Sequence, residues 1–377
     1  MYDMDQALSA FTQLLEEQLA RSEAMEQAAP AKRYDAATKV NIGVCPGDGI
    51  GPVICRSAEE VLRHILKDEI ASGTVTVTDI PGLTIEERLA CGRPVPEDVL
   101  RSIKGCDVLL KGPTTTPKGG TMESANVALR RELDLYANVR PVSIPEEGVD
   151  WTFFRENTEG EYVLGSRGIE FPGRLWMDFK VTTDAGTRRI ARAAFEYAKN
   201  NGKTSVAIVT KANIMKKTDG AFSRICHEVA EEYPGIEAED WYVDIMSANL
   251  VRERTRSRFQ VFLLPNLYGD ILTDEAAQIQ GGVGTAGSAN LGDRYAMFEA
   301  IHGSAPRMIE RGMGEYANPS SMLRAAVMLL RHIGRAPAAD RLEKALDACQ
   351  SDPACAITGT PEGLSCAQFT NRLLEKL

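Results

Sequence analysis

The chain has 377 residues, of which 44% are hydrophobic and 25% charged, as in globular proteins too long for one small core. Its formal net charge of −10 argues against nucleic acid as a main partner. No apolar run reaches the ~18 residues of a membrane span, no secretory signal is present, and scattered cysteines without a C-x-x-C pair indicate reduced thiols, so we expect a cytoplasmic protein with no membrane partner.

The first predicted element is a helix over residues 3–28, followed by a linker that reaches residue 39. Apolar residues recur every three or four positions in this helix, which predicts a narrow seam along one side. The seam consists of Met4, Leu8, Phe11, Leu15 and Leu19. We expect it to dock either on the body of the chain or on a second subunit.

Strands and helices alternate through the body of the chain, which predicts an α/β protein with a largely parallel sheet. The predicted strands are 40–44, 74–80, 106–112, 151–155, 205–210 and 261–265. The predicted helices are 52–70, 184–200 and 217–232, and the chain is mostly helical from residue 321 onward.

Glycines are concentrated in two segments that follow or flank predicted strands. "GDGIGP", residues 47–52, turns the chain after the first strand but lacks the G-x-G-x-x-G spacing of dinucleotide-binding turns. The second segment, residues 281–306, contains His302. Glycine-rich backbone suits contact with phosphate or adenine, although a lone histidine is more often structural.

Arginines are concentrated in one short stretch of this acidic chain. Arg130, Arg131 and Arg140 lie within residues 123–141, and Arg155 ends an apolar strand. Guanidinium groups bind carboxylate or phosphate through two parallel hydrogen bonds. Several of them near the carboxyl edge of a sheet predict a site for a small polyanion.

Two aspartates and a lysine also follow predicted strands. Asp270 and Asp274 are four residues apart at the start of a helix, so their carboxylates share a face. They are either acids that stabilise a helix N-terminus or ligands of a divalent cation. Lys211 follows the strand 205–210, where it is either exposed or functional. The residues alone decide neither the role of the two aspartates nor that of Lys211.

Seven motifs in a fixed order resemble one family. "PGDGIGP", "KGPTTTP", "SANVALRRELDLYANVRP", "RENTEGEY", "KANIMK", "NLYGDILTD" and "EAIHGSAP" together resemble the β-decarboxylating dehydrogenases, the isocitrate/isopropylmalate dehydrogenase family. The resemblance covers residues 39–377. It implies that family's α/β fold rather than a Rossmann fold.

The resemblance also implies a domain organisation. A large α/β domain would consist of residues 39–135 and 281–377, and a smaller α/β domain of residues 136–280 would carry a dimer-forming clasp. Residues 1–38 would form an N-terminal helical extension and linker.

The activity implied is the oxidative decarboxylation of isocitrate to 2-oxoglutarate and CO₂, with reduction of NAD or NADP. Asp270 and Asp274 would hold Mg²⁺ or Mn²⁺ together with Asp244 of a second subunit. Tyr162 would be the general acid, and Lys211 would reach across from the neighbouring subunit to assist removal of the hydroxyl proton. These assignments imply a homodimer with shared active sites.

The remaining site residues are assigned by the same resemblance. The substrate would contact Ser124, Asn126, Arg130, Arg140 and Arg155. The nicotinamide cofactor would contact Lys111, Thr116, Asn213, His302, Gly303, Ala305, Arg307 and Asn318.

Two of these positions favour isocitrate over isopropylmalate. Relatives that act on isopropylmalate have leucines where this chain has Ser124 and Asn126, and a carboxylate facing leucine would be poorly solvated. Homoisocitrate is harder to exclude, because one methylene changes binding by only about 1–3 kcal/mol. A tartrate-type dehydrogenase and a non-catalytic regulatory subunit are two further interpretations of these motifs.

Arg307 favours NADP, with NAD as the alternative. NAD-dependent relatives usually have an aspartate directly after the HGSAP-type motif, where it binds the adenosine ribose and repels the 2′-phosphate of NADP. This chain has Arg307 there, a group that attracts phosphate. Arg311 would add to it, and the expanded segment that follows lies where relatives set cofactor preference.

Overall fold

The computed structural model describes residues 3–27, 31–117, 122–165, 167–282 and 286–377. The beginning of the predicted linker, residues 28–30, and the middle of the second glycine-rich segment, residues 283–285, lie outside the described residues. None of the helices in these ranges has the length and apolar character that a bilayer crossing requires.

The strands are short and occur throughout the body. In chain order they are β1 Val40–Cys45, β2 Val75–Asp79, β3 Val108–Lys111, β4 Ala137–Ile144, β5 Val149–Glu156, β6 Ile169–Phe171, β7 Leu175–Met177, β8 Ser205–Thr210, β9 Glu237–Tyr242, β10 Val261–Leu264, β11 Gly287–Leu291 and β12 Ala296–Ala300.

The helices alternate with these strands and predominate near the end of the chain. They are α1 Met4–Glu26, α2 Gly51–Ile65, α3 Lys67–Ala71, α4 Ile85–Cys91, α5 Glu97–Lys104, α6 Ala125–Glu132, α7 Asp184–Asn200, α8 Thr218–Ala230, α9 Val243–Val251, α10 Glu253–Arg256, α11 Asn266–Ile279, α12 Pro306–Glu310, α13 Ser320–His332, α14 Ala336–Gln350 and α15 Cys366–Leu374.

The chain divides into two compact units, each made of two separate stretches. The first unit combines Met1–Pro30 with Tyr136–Gln280, and the second combines Ala31–Leu135 with Gly281–Leu377. Helix α1 therefore belongs to the first unit, although the sequence set it apart as an extension.

The main sheet of the first unit has five strands in the order β4-β5-β10-β8-β9, and β6 pairs with β7 in a separate two-stranded sheet. Strands β4 and β5 are antiparallel, and β5, β10, β8 and β9 are parallel neighbours. Aromatic residues fill the core beneath them, where the rings of Phe153 and Phe262 stack with centroids 4.2 Å apart. The parallel strands bring residues 157, 265 and 211 to the same carboxyl edge.

The second unit is built on five strands in the order β2-β1-β3-β12-β11. Strands β2, β1, β3 and β12 are parallel neighbours, and only β11 runs antiparallel. Helix α13 buries apolar residues such as Leu323 and Leu330 against this unit's sheet. The carboxyl ends of β1, β3 and β12 therefore share one edge.

The predicted α/β class is confirmed, and most of the predicted elements are present. Helix α7 and strand β8 have the predicted bounds. The prediction of a single helix over 52–70 is wrong in one respect. The helical segment is interrupted at Leu66 and forms two helices, α2 and α3. Strand β4, which contains Pro141, was not predicted.

Helix α1 packs on the first unit through a face that neighbours its predicted seam. The seam residues Met4, Leu8, Phe11, Leu15 and Leu19 are between 43% and 65% exposed. The buried residues of α1 are Ala7 and Leu14. Phe11, at the edge of the seam, contacts the ring of Phe179, whereas the seam as a whole is exposed in the single chain. Docking of the whole seam on a second subunit stays a prediction.

Candidate active site

The carboxyl edge of the first unit's sheet brings together residues that are distant in sequence. Arg155 lies near the end of β5, Asp270 lies on α11 just after β10, and Lys211 directly follows β8. Side chains at such an edge are held by rigid strands on one side and face an open crevice on the other.

Asp270 accepts hydrogen bonds from two of the predicted site residues. One carboxylate oxygen pairs with the guanidinium of Arg155, and the other accepts from the hydroxyl of Tyr162 at 2.8 Å. Arg155 is fixed in turn by Asn266, whose side-chain oxygen accepts from Nε at 2.9 Å and from Nη2 at 2.7 Å. A Cβ on Gly269 would lie 2.5 Å from Cγ of Arg155, so only glycine fits beside this side chain.

Asp274 lies one turn further along α11 and pairs with Arg140. The distance from Asp274 to Nη1 of the buried Arg140 is 2.9 Å, and the same nitrogen donates to the hydroxyl of Thr273 at 2.8 Å. The negative charge of each of these two aspartates is therefore balanced by an arginine. The family resemblance assigned both arginines to the binding of substrate carboxylates.

Lys211 and Asp244 form a separate ion pair. The hydrogen bond from Lys211 lowers the pKa of the exposed Asp244 carboxyl, which is ionised near neutral pH. Asn213, two residues after Lys211, is also exposed. The first unit thus holds two clusters, one with Arg155, Tyr162 and Asp270 and one with Lys211 and Asp244.

The two aspartates of α11 fit a divalent cation. Their side chains are 39% and 65% exposed and project from one helix face, and carboxylate oxygens are the ligands that Mg²⁺ and Mn²⁺ prefer. Within the described ranges, no three acidic, histidine or cysteine side chains are grouped as a complete metal site. A cation at Asp270 and Asp274 would thus need a further ligand.

The turns that follow β1, β3 and β12 meet at the carboxyl edge of the second unit's sheet. The amide of Asp48 donates to the carbonyl of Pro113 at 2.7 Å, and the amide of Ile50 donates to the carbonyl of Ser304 at 3.1 Å. Gly49 has a φ of +59°, and a Cβ there would lie 2.0 Å from the Ser304 oxygen. The glycines of "GDGIGP" therefore allow close approach of the "HGSAP" turn.

Ser124 and Asn126 begin helix α6. Ser124 occupies the N-cap position, but its side chain makes no capping hydrogen bond. The side-chain oxygen of Asn126 accepts from the hydroxyl of Thr114 at 3.0 Å, which orients its amide. Both residues are partly buried, and Thr116 is exposed.

Lys111 and Arg130 share a buried partner, Glu299. The carboxylate lies 3.0 Å from the Lys111 ammonium and 3.3 Å from the Arg130 guanidinium. Burial alone would raise the pKa of Glu299, but these positive charges lower it to about 2. Lys111 is fully buried in this ion pair, and its contact with a cofactor stays a prediction.

The remaining predicted cofactor residues lie near helix α12. His302 is partly buried, and burial lowers the pKa of its imidazole, so the ring is neutral at pH 7. Ala305 has a φ of 47° at the N-cap of α12. Gly303 and Asn318 are exposed. A cavity of about 600 Å³ is lined by residues that include Arg307, Arg311 and Thr360.

Sequence reasoning missed the residues that hold the predicted site residues of each unit in place. Asn266 holds Arg155, Glu299 holds Lys111 and Arg130, and the buried Asp48 accepts from Arg88 at 2.9 Å. The available signal was a charged residue inside an apolar segment, as Glu299 is in "AMFEA". A lone buried charge is costly, so such a residue indicates a partner elsewhere in the chain.

Comparison with known proteins gives one consistent family. Residues 41–372 match the model of the isocitrate/isopropylmalate dehydrogenase family. A probable NAD isocitrate dehydrogenase subunit alpha, mitochondrial, of Drosophila melanogaster is 36% identical over 359 residues, which cover 93% of this chain and 90% of that protein. The NADP isocitrate dehydrogenase of Rickettsia typhi is 39% identical over 313 residues.

The lengths of these proteins differ. The match to the Rickettsia protein covers 81% of this chain but only 62% of that protein. A crystal structure of isocitrate dehydrogenase from Methylococcus capsulatus superposes with a TM-score of 0.80 at 38% identity, covering 89% of this chain and 99% of that one. The fold that the motifs implied is confirmed by this similarity.

Proposed function

Because this chain belongs to the isocitrate/isopropylmalate dehydrogenase family, we propose that it catalyses the oxidative decarboxylation of isocitrate to 2-oxoglutarate and CO₂. The observation that carries the proposal is the contact of Tyr162, Asp270 and Arg155 at one sheet edge. This contact supports the proposal, because in the proposed roles Tyr162 would be a proton donor, Asp270 a cation ligand and Arg155 a carboxylate-binding group within one small site.

Each residue then has a role that its surroundings support. Arg130, Arg140 and Arg155 bind the substrate carboxylates, and Lys211 assists removal of the hydroxyl proton. Asp270 and Asp274 would hold a divalent cation, which would supply polarisation of the forming carbonyl, and a bound nicotinamide would supply the hydride acceptor. Tyr162 donates a proton to the carbon that loses CO₂.

We propose that two copies of the chain share each active site. The residues assigned to one subunit, Tyr162 and Asp270, contact each other, and those assigned to its neighbour, Lys211 and Asp244, form their own pair. In the proposed homodimer, Asp244 of one copy would be the further cation ligand for the other.

A cytoplasmic location of the protein stays a prediction.

A substrate panel tests the proposed activity. The purified chain, supplied with Mn²⁺ and either NAD or NADP, should turn over isocitrate with a higher kcat/KM than isopropylmalate, homoisocitrate or tartrate. Equal or better turnover of another acid would transfer the assignment to that substrate. No turnover by the chain alone would favour a regulatory subunit.

Ser124→Asp should raise the KM for isocitrate by about tenfold or more. A carboxylate at the start of α6 would repel a substrate carboxylate at close range, as a phosphate on this serine would. Steady-state kinetics with isocitrate measure the effect, and Ser124→Ala is the matched control because it removes the hydroxyl without adding charge. A KM within twofold of the original for Ser124→Asp would place Ser124 outside the pocket.

We propose NADP as the preferred cofactor, with NAD as the alternative, because two arginines line the cavity beside α12. Arg307→Asp should shift the ratio of catalytic efficiencies toward NAD by about tenfold or more, since a charge-assisted hydrogen bond contributes roughly 1.5–3 kcal/mol. The ratio of kcat/KM with NADP to that with NAD is the measurement. Arg307→Gln should shift it less, and an unchanged ratio in both variants would mean that specificity is set elsewhere.

A further inference from the structure

Helix α1 contacts the loop that carries Tyr162, although it precedes the part of the chain matched by the family model. The match begins at residue 41, whereas α1 spans Met4–Glu26. We call residues 157–164, which follow β5, the Tyr162 loop. Contacts from the inner face of α1 reach this loop on both sides of Tyr162.

On the side before Tyr162 the contact is ionic. Nη1 of Arg21 lies 3.1 Å from the carboxylate of Glu159, and Nη2 donates to the hydroxyl of Thr158 at 3.1 Å. The Glu159 side chain is only 3% exposed and that of Arg21 is 23% exposed. An ion pair sheltered to this degree holds its geometry more firmly than one on an open surface.

Glu159 lies beside a second buried carboxyl group, that of Glu156, so the positive charge of Arg21 offsets part of the local negative charge. Glu156 and Glu159 are both buried, and burial together with the charge of Glu159 raises the pKa of Glu156 to about 7. The hydroxyl of Thr158 donates to Glu156 at 2.7 Å and accepts from Arg189 at 3.1 Å. Two neighbouring buried carboxyl groups are thus balanced in part by an arginine that α1 contributes.

On the side after Tyr162 the contact is apolar. Leu14 is buried in a cluster with Val163 and Leu164, and Phe179 packs against this cluster. The ring of Phe11 lies 5.4 Å from that of Phe179, centroid to centroid. Val163 and Leu164 directly follow Tyr162, so a shift of α1 would move the backbone that carries the phenol.

We propose that α1 positions the general acid: Arg21 and Leu14 fix the Tyr162 loop so that the phenol faces Asp270. Arg21 and Leu14 are positioning residues, because each acts through the loop and not on the substrate. The inference rests on the proposed function of Tyr162. It gives the N-terminal helix a role in the chemistry of its own chain.

Arg21→Gln in the full chain tests the proposal. Its kcat with isocitrate, per folded active site, should fall by about tenfold to a hundredfold, because small displacements of a reacting group have effects of this size. The KM should change less than kcat, because Arg21 contacts Glu159 and Thr158 and reaches the substrate-binding Arg155 only indirectly, through Asn266. The solvent deuterium isotope effect on kcat should increase as proton donation becomes slower. Arg21→Lys should recover part of the activity.

Arg331→Gln is the matched control. Arg331 is 44% exposed and pairs with Glu343 at 2.6 Å and with Asp340 at 3.1 Å in the second unit. Its replacement should leave kcat and the isotope effect unchanged. Leu14→Ala, which keeps a good helix former in α1, should act in the same direction as Arg21→Gln and serves if the arginine variant fails to fold.

Hydrogen exchange separates this inference from the proposed function. Amides of residues 157–164 should exchange faster in Arg21→Gln than in the parent protein, and no faster in Arg331→Gln. If the parent protein turned over isocitrate while Arg21→Gln kept its kcat, isotope effect and exchange rates, α1 would have only a structural role. If the parent protein did not turn over isocitrate, the proposed function would fail, and the exchange rates would still decide whether α1 fixes the loop.

Discussion

Asp270→Asn should reduce kcat/KM with isocitrate and Mn²⁺ by at least about a hundredfold. A neutral amide is a much weaker ligand for a hard cation than a carboxylate. Loss of residues that merely orient a metal ligand already costs about 10–100-fold, so loss of the ligand itself should cost no less. The fold should remain intact, because the one side-chain oxygen of Asn can still accept from Arg155 and its amide N–H can donate to the Tyr162 hydroxyl, which is able to accept.

Thermal unfolding with Mn²⁺ provides the companion measurement. A ligand that binds only the native state raises Tm, so Mn²⁺ with isocitrate should raise the Tm of the parent protein more than that of Asp270→Asn. Glu275→Gln is the control, since Glu275 lies on the same helix but accepts from Ser247 at 2.9 Å. Near-normal turnover of Asp270→Asn at micromolar Mn²⁺ would show that the cation is held elsewhere.

Tyr162→Phe and Lys211→Met should each lose most activity alone but regain part of it when mixed. Tyr162→Phe removes the proton donor while leaving isocitrate binding largely intact, and Lys211→Met removes the group that assists the hydride step. In the proposed shared site, a mixed dimer has one site that lacks both groups and one that has both. Random exchange in equal amounts would therefore restore about a quarter of the original sites.

The hybrid experiment needs proof that the subunits have exchanged. Differently tagged variants, mixed under conditions that permit exchange and then purified through both tags, would provide it. Activity in this doubly tagged fraction would support sharing between subunits. A doubly tagged fraction with no more activity than the single variants would mean that Tyr162 and Lys211 do not cooperate across two chains.

The sequence predicted those elements whose pattern is local. Strand β8 is a continuous apolar run, and helix α7 begins with Thr183, whose hydroxyl accepts from the amide of Gly186 at 3.0 Å. The α1 seam did not identify the side of the helix that packs on its own chain, because periodicity identifies the apolar side of a helix but not the side that finds a partner. Here the buried side uses Ala7, Leu14 and an arginine that pairs with Glu159.

The supporting contacts of the site could not be predicted from local pattern. Lys111 and Glu299 form their pair across a sheet of parallel strands, and Asn266 and Arg155 are likewise brought together by neighbouring strands. The spacing of residues along the sequence does not predict these contacts, because they depend on which strands are neighbours in the sheet. The motifs named the residues at the sheet edges, but only the strand order showed which of them touch.

The interleaving of the two units along the chain has a consequence for synthesis on the ribosome. The first unit is complete once residue 280 has emerged, whereas the second begins at residue 31 and is completed only with residues 281–377. Until Ala296–Ala300 has been translated, β3 lacks its neighbour β12 and exposes backbone hydrogen-bonding groups along one side. During this interval the second unit has an unpaired strand edge. The first unit, whose main-sheet strands all lie between residues 137 and 264, can therefore finish folding before the second.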